Sequence, residues 1–200
     1  MSATRFALAD IAPTPWKNGG GATREIACWP PGSALDGFDW RISVATIAAA
    51  GPFSTFDGID RNIALLTGDG VLLRGAHGTH RLDQPLAPFA FAGESPMHAT
   101  LLGGASEDFN VMTRRCRCRA HVHVWRAASE LPRTPGDAAL VLAVRGDWRC
   151  VLAGDAATAL PPGSGLWWPP AAAAPLTRLQ PLPGHTAPAL LAVVIEYEPK

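Results

Sequence analysis

The sequence predicts an all-β protein built from two jelly-roll half-barrels in one chain. Apolar residues recur with period two and hardly ever with the 3.6 period of an amphipathic helix. Glycine (20) and proline (19) are scattered between the apolar runs, as short strands joined by tight turns require. A series of strands and turns also recurs along the chain. With 200 residues, 48% of them hydrophobic, there is enough apolar material to bury a substantial core.

Taken in order, the apolar runs predict strands at 40–47, 63–66, 71–74, 89–91, 99–102, 109–113 and 115–125. A second series follows at 140–144, 148–152, 166–168, 176–179 and 190–197, with Gly, Pro and Asp between the runs. The repeat emerges when the glycine turns are superposed. Leu65-Leu66-Thr67-Gly68-Asp69-Gly70 resembles Ala143-Val144-Arg145-Gly146-Asp147-Trp148. At nearly the same offset Phe89-Ala90-Phe91 falls on Leu166-Trp167-Trp168, and Ala99-Thr100-Leu101 on Leu176-Thr177-Arg178. Three matches in one order are what a duplicated half-barrel leaves behind, so the expected architecture is a bicupin, with one cupin over 1–115 and a second, structural one over 116–200.

Charge narrows the function classes. Lys+Arg and Asp+Glu both total 17, and no basic cluster is long enough to follow a phosphate backbone, so no nucleic-acid partner is expected. Arg114 to Arg119 alternates Arg with Cys and reads as one strand face. No signal-peptide run opens the chain, and no stretch approaches the ~18 apolar residues of a membrane span. A cytoplasmic protein without a membrane partner is therefore expected, with Cys28, Cys116, Cys118 and Cys150 reduced, free and buried.

The least ordinary segment is Pro15-Trp16-Lys17-Asn18-Gly19-Gly20-Gly21-Ala22-Thr23-Arg24-Glu25-Ile26. Three glycines let backbone amides approach a ligand closely, and Lys17, Asn18, Thr23 and Arg24 surround them with donors, so the segment suits an anion cradle or else a flexible turn before the first strand. Lys17 precedes the glycines, which is not phosphate-loop spacing. In Phe38-Asp39-Trp40-Arg41-Ile42-Ser43-Val44-Ala45-Thr46-Ile47, period two puts Trp40, Ile42 and Val44 on one face and Arg41, Ser43 and Ala45 on the other. An inward Arg41 needs pairing by Asp60, by Glu25 or by a bound anion; an outward one faces solvent. Asp108, Asn110 and Met112 share one strand face.

These segments, with Gly51-Pro52-Phe53-Ser54-Thr55-Phe56-Asp57-Gly58-Ile59-Asp60-Arg61 and Asp108-Phe109-Asn110-Val111-Met112, resemble the HutD/Ves family. The likeness is strong over 13–115 and departs at Asp57, where the family pattern has proline. It implies an RmlC-like bicupin with a small-molecule pocket in the N-terminal cupin. Some members are linked to histidine utilisation, where they are thought to limit flux by sensing an intermediate such as N-formylglutamate or urocanate. Carried over by motif, the ligand-binding candidates are Lys17, Asn18, Arg24, Arg41, Ser43, Asp60, Arg61, Asp108 and Asn110. Oligomerisation as a homodimer is expected from the resemblance alone.

A catalytic cupin holds its metal through two His and a carboxylate in H-x-H-x4-E, because borderline metals want imidazole nitrogen. Here Ser54, Phe56 and Arg61 fall where those ligands would lie, and His98 is the nearby imidazole. The pocket is expected to be free of metal and cofactor, with Arg61 supplying positive charge instead. Cys116, Cys118, His121 and His123 lie close in sequence, but alternation points thiols and imidazoles to opposite faces. His77 and His80 read as loop residues.

Beside a purely structural or dimer-forming cupin, which would leave the polar face without a ligand, two functions follow. One is non-catalytic binding of a carboxylate metabolite in a regulatory role. The other is a metal-independent isomerase or lyase with Asp60 or Asp108 as general base.

Overall fold

A computed structural model describes residues 3–76, 78–152, 157–170 and 177–197. Nineteen strands and one short 3-10 turn account for its regular structure. They are β1 (Thr4–Ala7), β2 (Thr14–Pro15), β3 (Gly21–Trp29), β4 (Trp40–Ile47), β5 (Gly51–Pro52), β6 (Ile59–Thr67), β7 (Val71–Gly75), β8 (Gly78–Leu82), β9 (Phe89–Ala92), β10 (Met97–Leu101) and β11 (Ser106–Arg114). Then come β12 (Cys118–Trp125), β13 (Ser129–Glu130), β14 (Ala138–Arg145), β15 (Trp148–Leu152), β16 (Thr158–Leu160), β17 (Ser164–Trp168), β18 (Thr177–Pro181) and β19 (Ala189–Tyr197). Leu176 and His77 lie outside the described residues.

The chain forms two compact units. One comprises Ile11–Arg119. Its six-stranded sheet has the order β2-β3-β4-β11-β6-β9, and its four-stranded sheet the order β5-β10-β7-β8. Ile47, Ile63 and Leu65 from the larger sheet meet Val71, Leu73, Leu82 and Ala99 in one buried cluster. The other unit comprises Ala120–Lys200 together with Met1–Asp10, with sheets β1-β17-β14-β19-β12 and β13-β18-β15-β16. The sequence places 1–10 with the first half-barrel. In the structure, β1 pairs antiparallel with β17, Thr4 opposite Trp167 and Ala7 opposite Ser164, and the Leu8 amide donates to the Gly163 carbonyl.

The duplication is visible strand for strand. The order β5-β10-β7-β8 in one unit becomes β13-β18-β15-β16 in the other, and β4-β11-β6-β9 becomes β12-β19-β14-β17. The two Gly-Asp turns close corresponding connections, β6 to β7 and β14 to β15. Gly68 has φ +92 and Gly146 φ +70, conformations that side chains disfavour.

Several strands were not legible as apolar runs. The segment expected as an anion cradle or a turn divides: residues 17–20 form a turn between β2 and β3, and from Gly21 onward the chain is strand, β3 pairing with β4 along its length. Conversely, the predicted strand at 115–125 starts only at Cys118, because Arg117 turns back to bond the Arg114 carbonyl.

Candidate functional site

Six-stranded pairing lays the inner face of the first barrel out in rows. Cys28, Arg41, Met112, Arg61 and Phe91 stand opposite one another across β3, β4, β11, β6 and β9. The next row is Glu25, Ser43, Asn110, Ile63 and Phe89, and the third is Thr23, Ala45, Asp108 and Leu65. A bulge between Glu25 and Ala27 shifts the alternation of β3, so that Glu25 and Cys28 flank the same neighbours on β4. The opposite face of the same strands carries Trp40, Ile42, Val44, Phe109 and Val111, all almost fully buried.

Arg61 is the centre of this polar face. It is 8% exposed, and its guanidinium lies 5.3, 5.8 and 5.0 Å from the ring centres of Phe53, Phe56 and Phe91. It makes two long hydrogen bonds, 3.4 Å each, to the Ser54 carbonyl and to Asn110 Oδ1, while its Nε has no partner. Burial, and secondarily the positive charge of Arg41, pull its pKa down to about 10, against the opposing pull of Asp108. Asp108 is wholly buried and its Oδ1 is likewise without a partner; burial pushes its carboxyl up to about 7 even though Arg61 favours the ionised form. The Ser43 hydroxyl, also buried, is the third unsatisfied group. Arg41 is answered within the protein, donating from Nε to Glu25 Oε2 at 2.5 Å.

Five of the nine sequence candidates thus converge: Arg41, Ser43, Arg61, Asp108 and Asn110. The other four stand elsewhere. Arg24 and Asp60 fall on the opposite side of the pleat. Arg24 pairs with Glu107 at 3.6 Å, and Asp60 accepts from Arg115 Nε at 2.7 Å in an exposed pair that also involves Glu94. Lys17 is exposed. Asn18 lies at the lip of a shallow cleft with Trp16, Gly20, Pro52 and Phe53, and its Oδ1 accepts from the Gly20 amide. The glycines do not form an anion cradle: the Gly19 amide bonds the Trp16 carbonyl, the Gly20 amide bonds Asn18, and Gly21 abuts the Thr46 backbone and the Trp16 ring where any Cβ would collide.

Sequence reasoning missed Phe53 and Phe91 as the walls of the Arg61 site. Their period-two partners look like ordinary core, and only the pairing of Phe91 with Arg61 across β6 and β9 sets the ring over the charge.

Metal ligands do not gather: among the described residues no three His, Cys, Asp or Glu side chains come together. His98 is exposed, between Met97 and Ala99, which pack inward. Cys118 is buried with its thiol donating to the Asp39 carbonyl, whereas His121 contacts Glu196. All four cysteines are free; Cys28, Cys118 and Cys150 are buried, and Cys116 is exposed on the turn before β12, a correction to the expectation that all are buried. Among the described residues no helix is long and apolar enough to cross a membrane.

The second barrel supplies an internal control. By register, Arg61, Asp108, Asn110 and Met112 correspond to Ala139, Leu190, Ala192 and Val194. All four of the latter belong to one buried apolar cluster with Val141, Trp148, Leu166 and Trp168. At these matched positions the fold carries apolar side chains in one copy and mostly polar ones in the other; the second copy has its guanidinium elsewhere, Arg133 lying 5.6 Å from the ring centre of Trp168.

The solved structure of HutD from Pseudomonas fluorescens SBW25 superposes with a TM-score of 0.82 at 29% identity, over 99% of this chain and all of that one. A cupin 2 conserved barrel domain protein from Leptotrichia buccalis, 10% identical, shares the fold with a TM-score of 0.61 over 96% of both chains. Protein Ves of Citrobacter koseri is 51% identical over 111 residues, 54% of this chain and 56% of that protein. A Pseudomonas putida protein described as uncharacterised and lying in the hutC 3' region is 45% identical over 122 residues, 61% of this chain and 64% of its own. Residues 8–181, from the turn after β1 to the end of β18, match the HutD family, and the chain belongs to that family.

Proposed function

We propose that the N-terminal barrel binds a small carboxylate metabolite without turnover, without metal and without cofactor, in a regulatory role connected with histidine utilisation. One observation carries the reading: Arg61 Nε, Ser43 Oγ and Asp108 Oδ1 are buried and unpartnered on one inner face, while the sister barrel has Ala139, Leu190 and Ala192 at the positions of Arg61, Asp108 and Asn110. Leaving buried polar groups unsatisfied costs about 1–3 kcal/mol each, more for a charge, so their retention in one copy alone is explained by a guest that completes them. A carboxylate fits, since it accepts from a guanidinium and a hydroxyl at once. The link to histidine utilisation rests on the HutD relative and on the hutC neighbour, and makes N-formylglutamate and urocanate the first ligands to try.

Thermal unfolding with each compound tests the proposal. A ligand at about 100 times its Kd contributes about 2.7 kcal/mol. Wild type should be stabilised, and Arg61→Gln and Arg41→Ala should lose most of the effect. No shift with either compound, or an equal shift in Arg61→Gln, overturns it. One equivalent of transition metal in purified protein overturns the metal-free part.

A second reading, turnover with Asp108 as general base, is favoured by its carboxyl lying near 7. Consumption of the stabilising ligand by stoichiometric protein would select it.

A further inference from the structure

The charges that face Asp108 add up to a constraint on how an anion enters. Arg61 comes from β6; two rows away from Asp108 on the same face, Arg41 of β4 is bonded to the exposed Glu25 of β3, so that this pair cancels. The adjacent Glu107 turns to the opposite face, bonded by Arg24, Thr46 and Thr67. β9 contributes Phe89 and Phe91, and the four-stranded sheet presents Val71, Leu73 and Ala99 to this core. With them comes His80, a residue of β8 rather than of a loop, whose ring stacks on Phe89 with centres 3.7 Å apart. Cys28 of β3 is the thiol on the same face. With Asp108 ionised, this set of four charges is neutral and holds no surplus for an anion. With Asp108 protonated, one positive charge is left over.

An incoming carboxylate drawn to Arg61 Nε and Ser43 Oγ would meet an ionised Asp108 in the same poorly hydrated interior. Two carboxylates sharing a buried site do not both stay ionised, because desolvation and mutual repulsion raise the pKa of one. The buried and unpartnered Asp108 Oδ1 is placed to carry that proton, and burial already favours its neutral form. A carboxylic acid donates where a carboxylate cannot.

Resting on the carboxylate-site reading above, we propose that Asp108 acts as a ligand-positioning residue in its acid form, donating a hydrogen bond to the carboxylate that Arg61 neutralises, so that each anion is taken up together with one proton from solvent. The site thereby selects carboxylate monoanions, or one carboxylate arm of a longer metabolite, over doubly charged groups such as phosphate.

Isothermal titration of the full chain with N-formylglutamate tests this, since its carboxylates stay ionised throughout pH 6.5–8.5. At about pH 8, the heats in phosphate and Tris buffers should differ by the ionisation of close to one proton. Above pH 7 the Kd should weaken by close to tenfold per unit. Asp108→Asn keeps a donor but has no proton to take up; it should bind within a few-fold of wild type at pH 6.5, with equal heats in both buffers and a flat profile. In wild type, the Asp108 carboxyl carbon resonance should remain at its protonated position at pH 8 when ligand is bound, a readout independent of any variant. Binding with buffer-independent heat and an ionised Asp108 resonance overturns the role of Asp108 and leaves the carboxylate site standing. Absence of binding at every pH rejects the carboxylate site and this inference with it.

Discussion

At the scale of single residues, Asp108 is a carboxyl held almost entirely away from water. Its carboxyl titrates at about 7 in the folded protein and near 3.9 in an unfolded chain, with burial as the main cause. Below about pH 4 both states are protonated and nothing is lost. As pH rises from about 4 to 7 the unfolded chain releases a proton that the native state keeps, so stability falls, by at most about 4 kcal/mol, and the loss is complete above 7. Urea unfolding of wild type at pH 5 and pH 8 should show the decline, and Asp108→Asn should flatten it. A slope unchanged by that substitution would mean another group is responsible. The unpartnered Asp108 was legible in sequence only as a member of a shared face with Asn110 and Met112. Its unsatisfied oxygen was not, because satisfaction depends on what the neighbouring strands bring.

At the scale of elements, turns and bulges decide which side chains face inward. Gly68 adopts φ +92, and a Cβ there would run into the Ala105 carbonyl and the Ser106 backbone at 2.5 and 2.7 Å. Gly68→Ala is therefore expected to cost more than the ~1 kcal/mol of a left-handed alanine alone, read as a lower urea midpoint with unchanged slope. The bulge in β3 is equally decisive, since without it Glu25 and Cys28 would point to opposite faces and Arg41 would have one or the other beside it. Strands with clean alternation, such as β4 and β11, were recognisable from sequence. β3 was not, because Gly21 and the polar Thr23, Arg24 and Glu25 resemble a loop until pairing with β4 is seen.

For the molecule as a whole, two units of one strand order differ in the side chains at their matched inner positions. Leu190 occupies in the second barrel the place of Asp108 in the first. Leu190→Asp puts a carboxyl into the apolar cluster, where alanine (Ala139) stands in the place of Arg61, and should cost several kcal/mol at pH 8, enough to unfold that unit as seen by loss of amide protection in β14 and β19. The first ten residues complete that same unit through β1 and β17. Removing 1–10 should therefore expose the β17 edge to hydrogen exchange while leaving β4, β6 and β11 protected; loss of protection in the latter strands would contradict the division seen here.

Period-two hydrophobicity and spaced glycine turns determined the fold class and the duplication, and the motifs at 15–26, 38–47, 51–61 and 108–112 carried the HutD likeness, because all of these are patterns read along the chain. Which of Lys17, Asn18, Arg24, Arg41, Ser43, Asp60, Arg61, Asp108 and Asn110 share an interior was decided only by tertiary structure. A strand's alternation says that neighbours point to opposite sides, but pairing, register and bulges decide which side is inside. That is why Arg61, Arg41 and Asp108 share the inner face, while Arg24 and Asp60, one residue out of phase, pair off on the other face.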